Sequence, residues 1–498
     1  MAAIDPEPGT RDLRVRLIAD GGDGGDSPSR SSARGGTSDS ERTRVSIAKE
    51  SFIHEEAEED VPVLPEDKAK GSTVPAAISV LAKTILGVGL LSLSSALKAV
   101  GIVYALLLLF LASCLSSFSL HLLGETALKE GGNQVTFYGV ASNLFPPLRY
   151  VLDLVIAFKC IGVAISYLMV IASSVTDLLI LAFPALGYPD LDEAARNRKI
   201  RALRAWALIT CVVFLVAPTS LPKRIRSLRY TNYLALFGML YFTAFVIIYY
   251  FSVLASGGET RGSEVVFFRN DPFEMLRVLP IFIFSFTCHQ NMFTICNELR
   301  NRSIGKVNTV IVGSVAASLC VYIGPAVCGY LQFGNATTDN LLRNYDSSAT
   351  EGNGVAKVAV LTCKVLMAVA FIFTYPLQCH PARTSLRVVI WRDAELSRQQ
   401  ERWILRGLTV AILVVTTAIA CLVENMQFIL AVVGAVGSNS ICYIMPAMIY
   451  IKMFESDGWT VKRILSVVLL AIGVVIMPLC LYAEISEVFK KNNLENHE

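Results

Sequence analysis

Charged residues are scarce in this chain. Asp, Glu, Lys and Arg make up only 17% of its 498 residues, while hydrophobic residues make up 53%, and the mean hydropathy is +0.53. A soluble globular protein carries about 25% charged residues, so the scarcity excludes that class and predicts a polytopic membrane protein. The net charge of +3 is spread without a basic stripe, which argues against nucleic-acid binding.

The chain also lacks the patterns that accompany catalysis or a bound metal. It has no nucleophile elbow, few acid and base residues within its apolar segments, and no metal-binding spacing among its 12 cysteines. Each cysteine lies in or at the edge of an apolar segment, so we expect most of them to be buried free thiols. We therefore predict neither an enzyme nor a metal or cofactor.

Residues 1–72 lack the apolar side chains that a folded core needs. They are rich in Ser, Arg, Gly and acidic residues, and we predict a disordered cytoplasmic tail. The tail has no signal-peptide pattern, so the first membrane span is expected to target the chain. The transmembrane domain is predicted over residues 73–486 and a short C-terminal tail over residues 487–498.

Eleven apolar runs are long enough, or nearly so, to cross a bilayer. With a cytoplasmic N-terminus the inner loops hold most of the Lys and Arg residues, although basic residues between 196 and 204 lie on the opposite side. The sequon Asn335-Ala336-Thr337 would then lie outside or in a lumen, where it can be glycosylated. The runs cover residues 74–97, 102–123, 151–176, 204–218, 231–255, 274–297, 308–333, 356–379, 403–423, 426–451 and 463–484.

Two of these runs are interrupted at their centres. The first contains Gly87-Val88-Gly89, and the sixth contains the run from Phe286 to Asn291. Backbone groups freed by a break must be satisfied within the protein, so a break indicates a cavity. Because the breaks lie five spans apart, we predict an all-α fold of two inverted five-helix repeats, with broken helices 1 and 6 and an added eleventh helix. Gly162 and Gly434, in the third and tenth runs, are expected to pack helices together.

Six segments carry a family signature: Lys83 to Leu91, Gly162 to Leu168, Ser227 to Thr231, Phe286 to Asn291, Gly329 to Gly334 and Tyr375 to Arg383. They closely resemble segments of the amino acid/auxin permease family, which includes the sodium-coupled neutral and the vacuolar amino-acid transporters. The resemblance covers about residues 70–485 in the right order. It implies the eleven-helix form of the amino acid:sodium symporter fold, with an amino acid as substrate.

An amino acid presents a carboxylate and an ammonium group, and both need partners in the site. N–H groups around Leu86 to Gly89 would hold the carboxylate, because a helix N-terminus carries partial positive charge, and nearby carbonyl groups would accept from the ammonium. Packing of two glycines at a helix crossing is the alternative reading. A structural hydrogen-bonding role for His289 and a core position for Tyr167 are also open. The predicted substrate-binding residues are Thr84, Ile85, Leu86, Gly87, Val88, Gly89, Tyr167, Ser285, Phe286, Thr287, Cys288 and His289.

The coupling ion depends on two positions. The resemblance implies that an asparagine in span one and a threonine in span eight help to form the cation site of sodium-coupled relatives. Thr374 matches the threonine, but Lys83 occupies the other position, and its ammonium would occupy or repel the sodium site. This favours proton coupling or sodium-independent exchange, unless Lys83 lies on another face of the helix and snorkels.

The sequence therefore predicts a secondary active carrier that moves amino acids, with neutral ones favoured, by alternating access. Its partners would be the amino acid, a coupling proton or sodium ion, and the lipid bilayer. The alternative is an amino-acid sensor or scaffold of the same fold that signals through the N-terminal tail. A vacuolar or lysosomal membrane and the plasma membrane are both compatible with the sequence.

Overall fold

The computed structural model describes residues 71–131, 135–146, 149–222, 229–257, 265–345, 354–392, 394 and 396–495. These residues lie within one compact unit, residues 48–498. The predicted N-terminal tail as far as residue 70 and the last three residues of the predicted C-terminal tail lie outside the described residues.

Helices form the regular structure of the described residues, apart from an isolated bridge between Ser72 and Leu299. Within the described residues, ten helices are long and apolar enough to cross a membrane, and one bent helix pair brings the number to 11. The prediction of an all-α polytopic membrane protein is confirmed. The spans are Val74–Ile85 with Gly89–Val100, Ile102–Glu130, Arg149–Ala182, Glu193–Ser220, Arg229–Ala255, Pro272–Ser285 with Met292–Glu298, Ile304–Phe333, Gly354–Ile390, Arg398–Leu422, Met426–Met453 and Val461–Glu495.

The first span is broken, as predicted, between Ile85 and Gly89. Its two half-helices meet at an angle of 59°. The first half begins with Pro75 in its first turn, where the missing N–H has no intrahelical partner to lose. A Cβ atom added at Gly89 would lie 2.8 Å from Oγ of Ser285, so glycine allows span one to cross span six closely.

The sixth span is broken in the corresponding place. The Asp271 side chain caps its first half by accepting from the N–H groups of Phe273 and Glu274, at 3.0 and 3.2 Å. This half ends at Ser285, and the second half begins at Met292 after a single 3-10 turn. Both half-helix ends therefore lie inside the protein, where each leaves backbone groups in need of partners.

Contacts between the spans follow the pairing that two inverted repeats require. In two inverted repeats of five helices, span one corresponds to span six and span two to span seven. Span one contacts span seven, and the equivalent pair, span six and span two, is also in contact. Spans three and eight correspond to each other and pack together along much of their length. Nζ of Lys364 in span eight lies 2.6 Å from a carboxylate oxygen of Asp177 in span three, so this interface contains an ion pair.

Small residues bring span ten against spans three and six, as predicted. A Cβ atom at Gly162 would overlap the side chain of Val433, and one at Gly434 would overlap the carbonyl of Pro280. Span ten is locally π-helical over Gly434–Ser438 and Ser440–Ile444. Such π-turns are frequent at functional sites, and Ile441 in the second of them lines the cavity described below.

Three chain segments near helix ends are more ordered than the sequence suggested. Span eight continues through Pro376 and Pro381 to Ile390, and span eleven continues to Glu495, through most of the predicted C-terminal tail. Ser72, at the end of the predicted N-terminal tail, donates its backbone N–H to the carbonyl of Glu298 at 2.7 Å and accepts from the N–H of Arg300 at 3.1 Å. The chain is therefore anchored to the end of span six just before span one begins.

Candidate binding cavity at the helix breaks

A cavity of about 280 Å³ lies at the two breaks. Spans one, three, five, six, seven, eight and ten all contribute to its wall. The residues that line it are Val80, Lys83, Thr84, Ile85, Leu86, Gly87, Val88, Gly89, Ile156, Lys159, Cys160, Val163, Tyr167, Ala235, Leu236, Met239, Phe284, Thr287, Gln290, Asn291, Tyr322, Thr374, Leu377, Gln378, His380, Pro381, Thr384, Ser385 and Ile441.

The break in span one lies on the wall of this cavity, where a new half-helix begins. The N–H of Leu86 belongs to the preceding half-helix, because it donates to the carbonyl of Ala82 at 3.0 Å. The next half-helix begins with bonds from Leu90 to Gly87 and from Leu91 to Val88, each 3.1 Å long. The N–H groups of Gly87, Val88 and Gly89 precede these first bonds, and a helix N-terminus of this kind attracts an anion.

The carbonyl groups at the ends of the two broken helices share one partner. The hydroxyl of Tyr322 in span seven lies 2.7 Å from the carbonyl oxygen of Ile85 and 2.9 Å from that of Ser285. Tyr322 is fully buried, and its ring makes an edge contact with Phe286, with 5.7 Å between ring centroids. One side chain therefore ties the ends of both first half-helices together.

Two side-chain hydrogen bonds connect the turn after the sixth-span break to other spans. Nδ2 of Asn291 donates to Oγ1 of Thr84 in span one at 3.2 Å. Nζ of Lys159 in span three donates to Oε1 of Gln290 at 3.1 Å. Lys159 is only 4% exposed, so its ammonium group is held deep in the wall by a neutral amide.

The predicted residues of span six divide into two groups. Thr287 lines the cavity, and its hydroxyl also accepts a bond from Sγ of Cys442 at 3.4 Å. The other four, Ser285, Phe286, Cys288 and His289, are buried and are not among the lining residues. They support the break from behind the wall of the cavity.

Tyr167 and the two predicted ion-coupling residues all line the cavity. The ring of Tyr167 stacks on Phe371, with 4.8 Å between ring centroids, which fixes its position in the wall. Nζ of Lys83 lies 4.9 Å from the centre of the Tyr233 ring, and Oγ1 of Thr374 donates to the carbonyl of Ala370 at 2.7 Å. Lys83 and Thr374 thus face the same space.

The charges of the wall have one sign. Among the described lining residues there are two lysines, Lys83 and Lys159, and neither an aspartate nor a glutamate. The remaining polar groups are hydroxyls, amides, the His380 ring and the thiol of Cys160. An anionic or zwitterionic ligand therefore meets a favourable field, while a further positive charge is repelled.

The described lining residues of the cavity reach towards the side on which span one begins. It reaches Val80 in the first half of span one, Ala235 near the start of span five and Ser385 near the end of span eight, and all three lie on the side where span one begins. A second cavity, of about 590 Å³, lies towards the opposite side and shares no lining residue with the first. Charged residues of both signs line this second cavity, including Lys98 and Asp339.

Residues 70–486 match the sequence profile that describes the transmembrane amino acid transporter proteins. The match covers both breaks, the first ten spans of the described chain and most of the eleventh, which continues beyond residue 486. The chain belongs to this family.

Several curated members of the transmembrane amino acid transporter family are similar to this chain along most of its length. Vacuolar amino acid transporter 5 of Schizosaccharomyces pombe is 32% identical over 82% of this chain and 93% of its own length. Vacuolar amino acid transporter 6 of Saccharomyces cerevisiae is 26% identical over 83% of this chain and 98% of its own length. Sodium-coupled neutral amino acid transporter 4 of Homo sapiens is 24% identical over 80% of this chain and 81% of its own length.

Sequence reasoning did not include several lining residues of this family member. Gln290 and Asn291 belong to the segment that carries the resemblance, and their polar side chains were the available signal. Lys159 was visible as a charge within an apolar run, but its partner Gln290 lies 131 positions away. Nothing in the sequence around Tyr322 distinguishes it from an ordinary core tyrosine, because its two partners belong to other spans.

Proposed function

We propose that this protein is a secondary carrier that moves amino acids across a membrane by alternating access. The observation that carries the proposal is that both helix breaks open onto the same cavity. Its described wall contains the backbone of the first break and two lysines but no carboxylate. Its volume of about 280 Å³ is close to the lower end of the usual range for small-molecule sites, roughly 300 Å³. Family membership supports an amino acid as the ligand.

The substrate carboxylate binds at the start of the second half of span one. Gly87, Val88 and Gly89 offer N–H groups there, and the positive end of the helix dipole favours the negative charge. The substrate ammonium binds at the carbonyl ends of the first half-helices, where the helix dipole leaves a partial negative charge. The carbonyl of Ile85 already accepts from Tyr322, but an oxygen with two lone pairs can accept a second hydrogen bond.

Neutral side chains fit the remaining wall best. Val163, Met239 and Phe284 provide apolar surface, and the ammonium groups of Lys83 and Lys159 repel a cationic side chain. The names of the human, rat and orangutan relatives include neutral amino acids, which supports the same preference.

We propose further that sodium is not the coupling ion. Lys83 brings an ammonium group into the space that Thr374 also faces, and the contact with the Tyr233 ring does not neutralise it. A sodium ion would have to enter beside this charge without a carboxylate among the described lining residues. Proton coupling, or exchange without an ion, avoids that repulsion.

Alternating access requires a second conformation that opens to the other side. The cavity reaches the membrane side on which span one begins, and with a cytoplasmic N-terminus this is the inward-facing state. The carrier resides in a vacuolar or lysosomal membrane, as the names of the fungal relatives suggest, or in the plasma membrane.

Counterflow in proteoliposomes tests the proposal directly. Vesicles that contain the purified protein and an unlabelled amino acid should accumulate the same labelled amino acid, and a panel of neutral, acidic and cationic amino acids defines the preference. The experiment is run with sodium or choline and with or without a pH gradient. Accumulation of neutral amino acids without sodium is expected, whereas an absolute sodium requirement would contradict the argument from Lys83. Absence of counterflow for every amino acid would contradict the carrier function itself.

A further inference from the structure

Tyr322 occupies the point at which the ends of two half-helices converge. The first half of span one ends at Ile85, the first half of span six ends at Ser285, and both end carbonyls face the Tyr322 hydroxyl at 2.7 and 2.9 Å. The residue is fully buried, and its ring is held by the edge contact with Phe286. The hydroxyl is therefore fixed between the two carbonyl oxygens.

Two helix C-termini contribute negative partial charge at this point. The C-terminal end of a helix carries the equivalent of about half a negative elementary charge, and here two such ends are directed at one place. Half-helix ends and unwound carbonyls of this kind coordinate cations in carriers with broken helices. The tyrosine hydroxyl instead supplies one hydrogen to two carbonyl oxygens and adds no net charge.

We propose that Tyr322 takes the place of a monovalent cation between the two helix ends and is thereby a determinant of sodium independence. This inference rests on the proposed function, in which the carrier works without sodium. Lys83 and Tyr322 would exclude sodium in different ways. The Lys83 ammonium repels a cation from the space that Thr374 faces. The neutral Tyr322 hydroxyl instead occupies the position between the two helix ends at which a cation would bind.

Replacing the hydroxyl should therefore create a cation site. In Tyr322→Phe the phenol oxygen disappears, and the space that it leaves adjoins the existing cavity, which Tyr322 lines. The carbonyl oxygens of Ile85 and Ser285 would then lose the hydrogen that Tyr322 donates, and replacing this positive partner favours entry of a cation.

The closing experiment first measures cation binding without transport. Thermal unfolding of the purified full-length protein in detergent is followed in sodium, lithium, potassium or choline chloride at equal ionic strength. Sodium or lithium should raise the unfolding temperature of Tyr322→Phe and leave the wild-type protein unchanged. The matched control is Tyr375→Phe, since Tyr375 is also fully buried but its hydroxyl pairs with Oγ1 of Thr416 at 2.8 Å, away from both breaks.

The second readout is counterflow of a neutral amino acid. Sodium should stimulate Tyr322→Phe at least about fivefold, the lower end of typical coupling between two bound ligands, and should not stimulate Tyr375→Phe. Failure of wild-type counterflow would contradict the proposed function, but it would leave the unfolding experiment as a valid test of the cation site.

Three results would overturn the inference. The first is a rise in the unfolding temperature of the wild-type protein in sodium. The second is an equal effect of sodium on Tyr322→Phe and Tyr375→Phe. The third is a monodisperse Tyr322→Phe protein whose unfolding temperature no cation raises. If the phenylalanine variant does not fold, Tyr322→Leu also removes the hydroxyl, together with the ring, and the wild-type measurement decides in any case whether sodium already binds.

Discussion

The side-chain amide of Asn291 donates a hydrogen bond to the hydroxyl of Thr84, with 3.2 Å between the two atoms. Thr84 is the penultimate residue of the first half of span one, and Asn291 ends the turn that precedes the second half of span six. The bond therefore joins the two broken helices on the wall of the cavity. Its loss should weaken the coupling between the breaks, which would then rest on the contacts of Tyr322 with Ile85 and Ser285.

Thr84→Val and Asn291→Ala should each reduce counterflow by several fold. A hydrogen bond of this kind contributes about 0.5–1.5 kcal/mol, which corresponds to roughly a two- to tenfold change. Because both changes remove the same bond, the double variant should lose much less than the product of the two single effects. Initial counterflow rates of the four proteins measure this coupling.

The control for this pair is Thr309→Val. Thr309 lies on the exposed surface of span seven, and its hydroxyl bonds only the carbonyl of Gly305 in its own helix. We expect no change in rate. Fully multiplicative effects of Thr84→Val and Asn291→Ala would show that the bond does not couple the breaks.

The spans and the breaks could be predicted because their signals are local. Long apolar runs and interrupting glycines or polar residues are contained within about 20 neighbouring positions, and the structure has both breaks where they were expected. The ends of spans eight and eleven were predicted less well, since their continuation depends on neighbours. Arg383, for example, is buried beyond Pro381 and donates to Oγ1 of Thr409 in span nine at 2.9 Å.

The wall of the cavity could be predicted only in part, because its members come from seven spans. Gly87 to Gly89 were accessible from the break itself. The sequence did not indicate which face of span six would line the cavity. Gln290 and Asn291 line it, while Cys288 and His289 lie behind the wall. Tyr322 acquires its position from contacts 237 and 37 residues away in sequence.

Gly89→Ala should reduce transport through a steric clash that a second substitution relieves. The added Cβ atom would lie 2.8 Å from Oγ of Ser285 and 3.5 Å from the nearest other atoms, and overpacking of this kind costs about 1–3 kcal/mol. Ser285→Ala removes the close atom, so Gly89→Ala/Ser285→Ala should recover much of the counterflow. Gly407→Ala, where a Cβ meets nothing within 4 Å, is the control. No recovery in the double variant would mean that Gly89 is needed for its backbone rather than for the close crossing.

Lys159→Gln should admit cationic amino acids. The substitution removes the charge and retains an amide that can hydrogen-bond with Gln290. Two like charges about 10 Å apart repel by about 1.7 kcal/mol at an effective dielectric constant of 20, so arginine counterflow relative to that of a neutral amino acid should rise about 15- to 20-fold. Lys357→Gln changes an exposed lysine outside the cavity and should not alter the ratio. Continued exclusion of arginine by an otherwise active Lys159→Gln protein would contradict the role of this charge.

The ion pair between Lys364 and Asp177 should respond unequally to loss of either partner. The Lys364 side chain is only 6% exposed, whereas that of Asp177 is 37% exposed, so Asp177→Asn leaves a buried ammonium group without its counter-ion. Breaking a fully buried pair costs about 3–5 kcal/mol, and a smaller loss is expected here because water reaches Asp177. The unfolding temperature of Asp177→Asn should be lower than that of Lys364→Met. The unfolding temperature of the double variant Lys364→Met/Asp177→Asn should be nearer to that of the wild-type protein. An Asp177→Asn protein as stable as wild type would refute this ordering.

Deletion of residues 1–70 should leave transport intact. Residue 71 is a suitable first residue, because Ser72 bonds the backbone of Glu298 and Arg300, and removing Ser72 would disturb the end of span six.

If the protein is a carrier, the shortened chain should show unchanged counterflow in proteoliposomes, since every described residue of the cavity lies beyond position 79. If it is instead a sensor that signals through its tail, neither the full chain nor the shortened one should support counterflow, while both should bind the amino acid. Measurement of binding and flux on the same preparations therefore separates the two functions, and tail-dependent flux would contradict both.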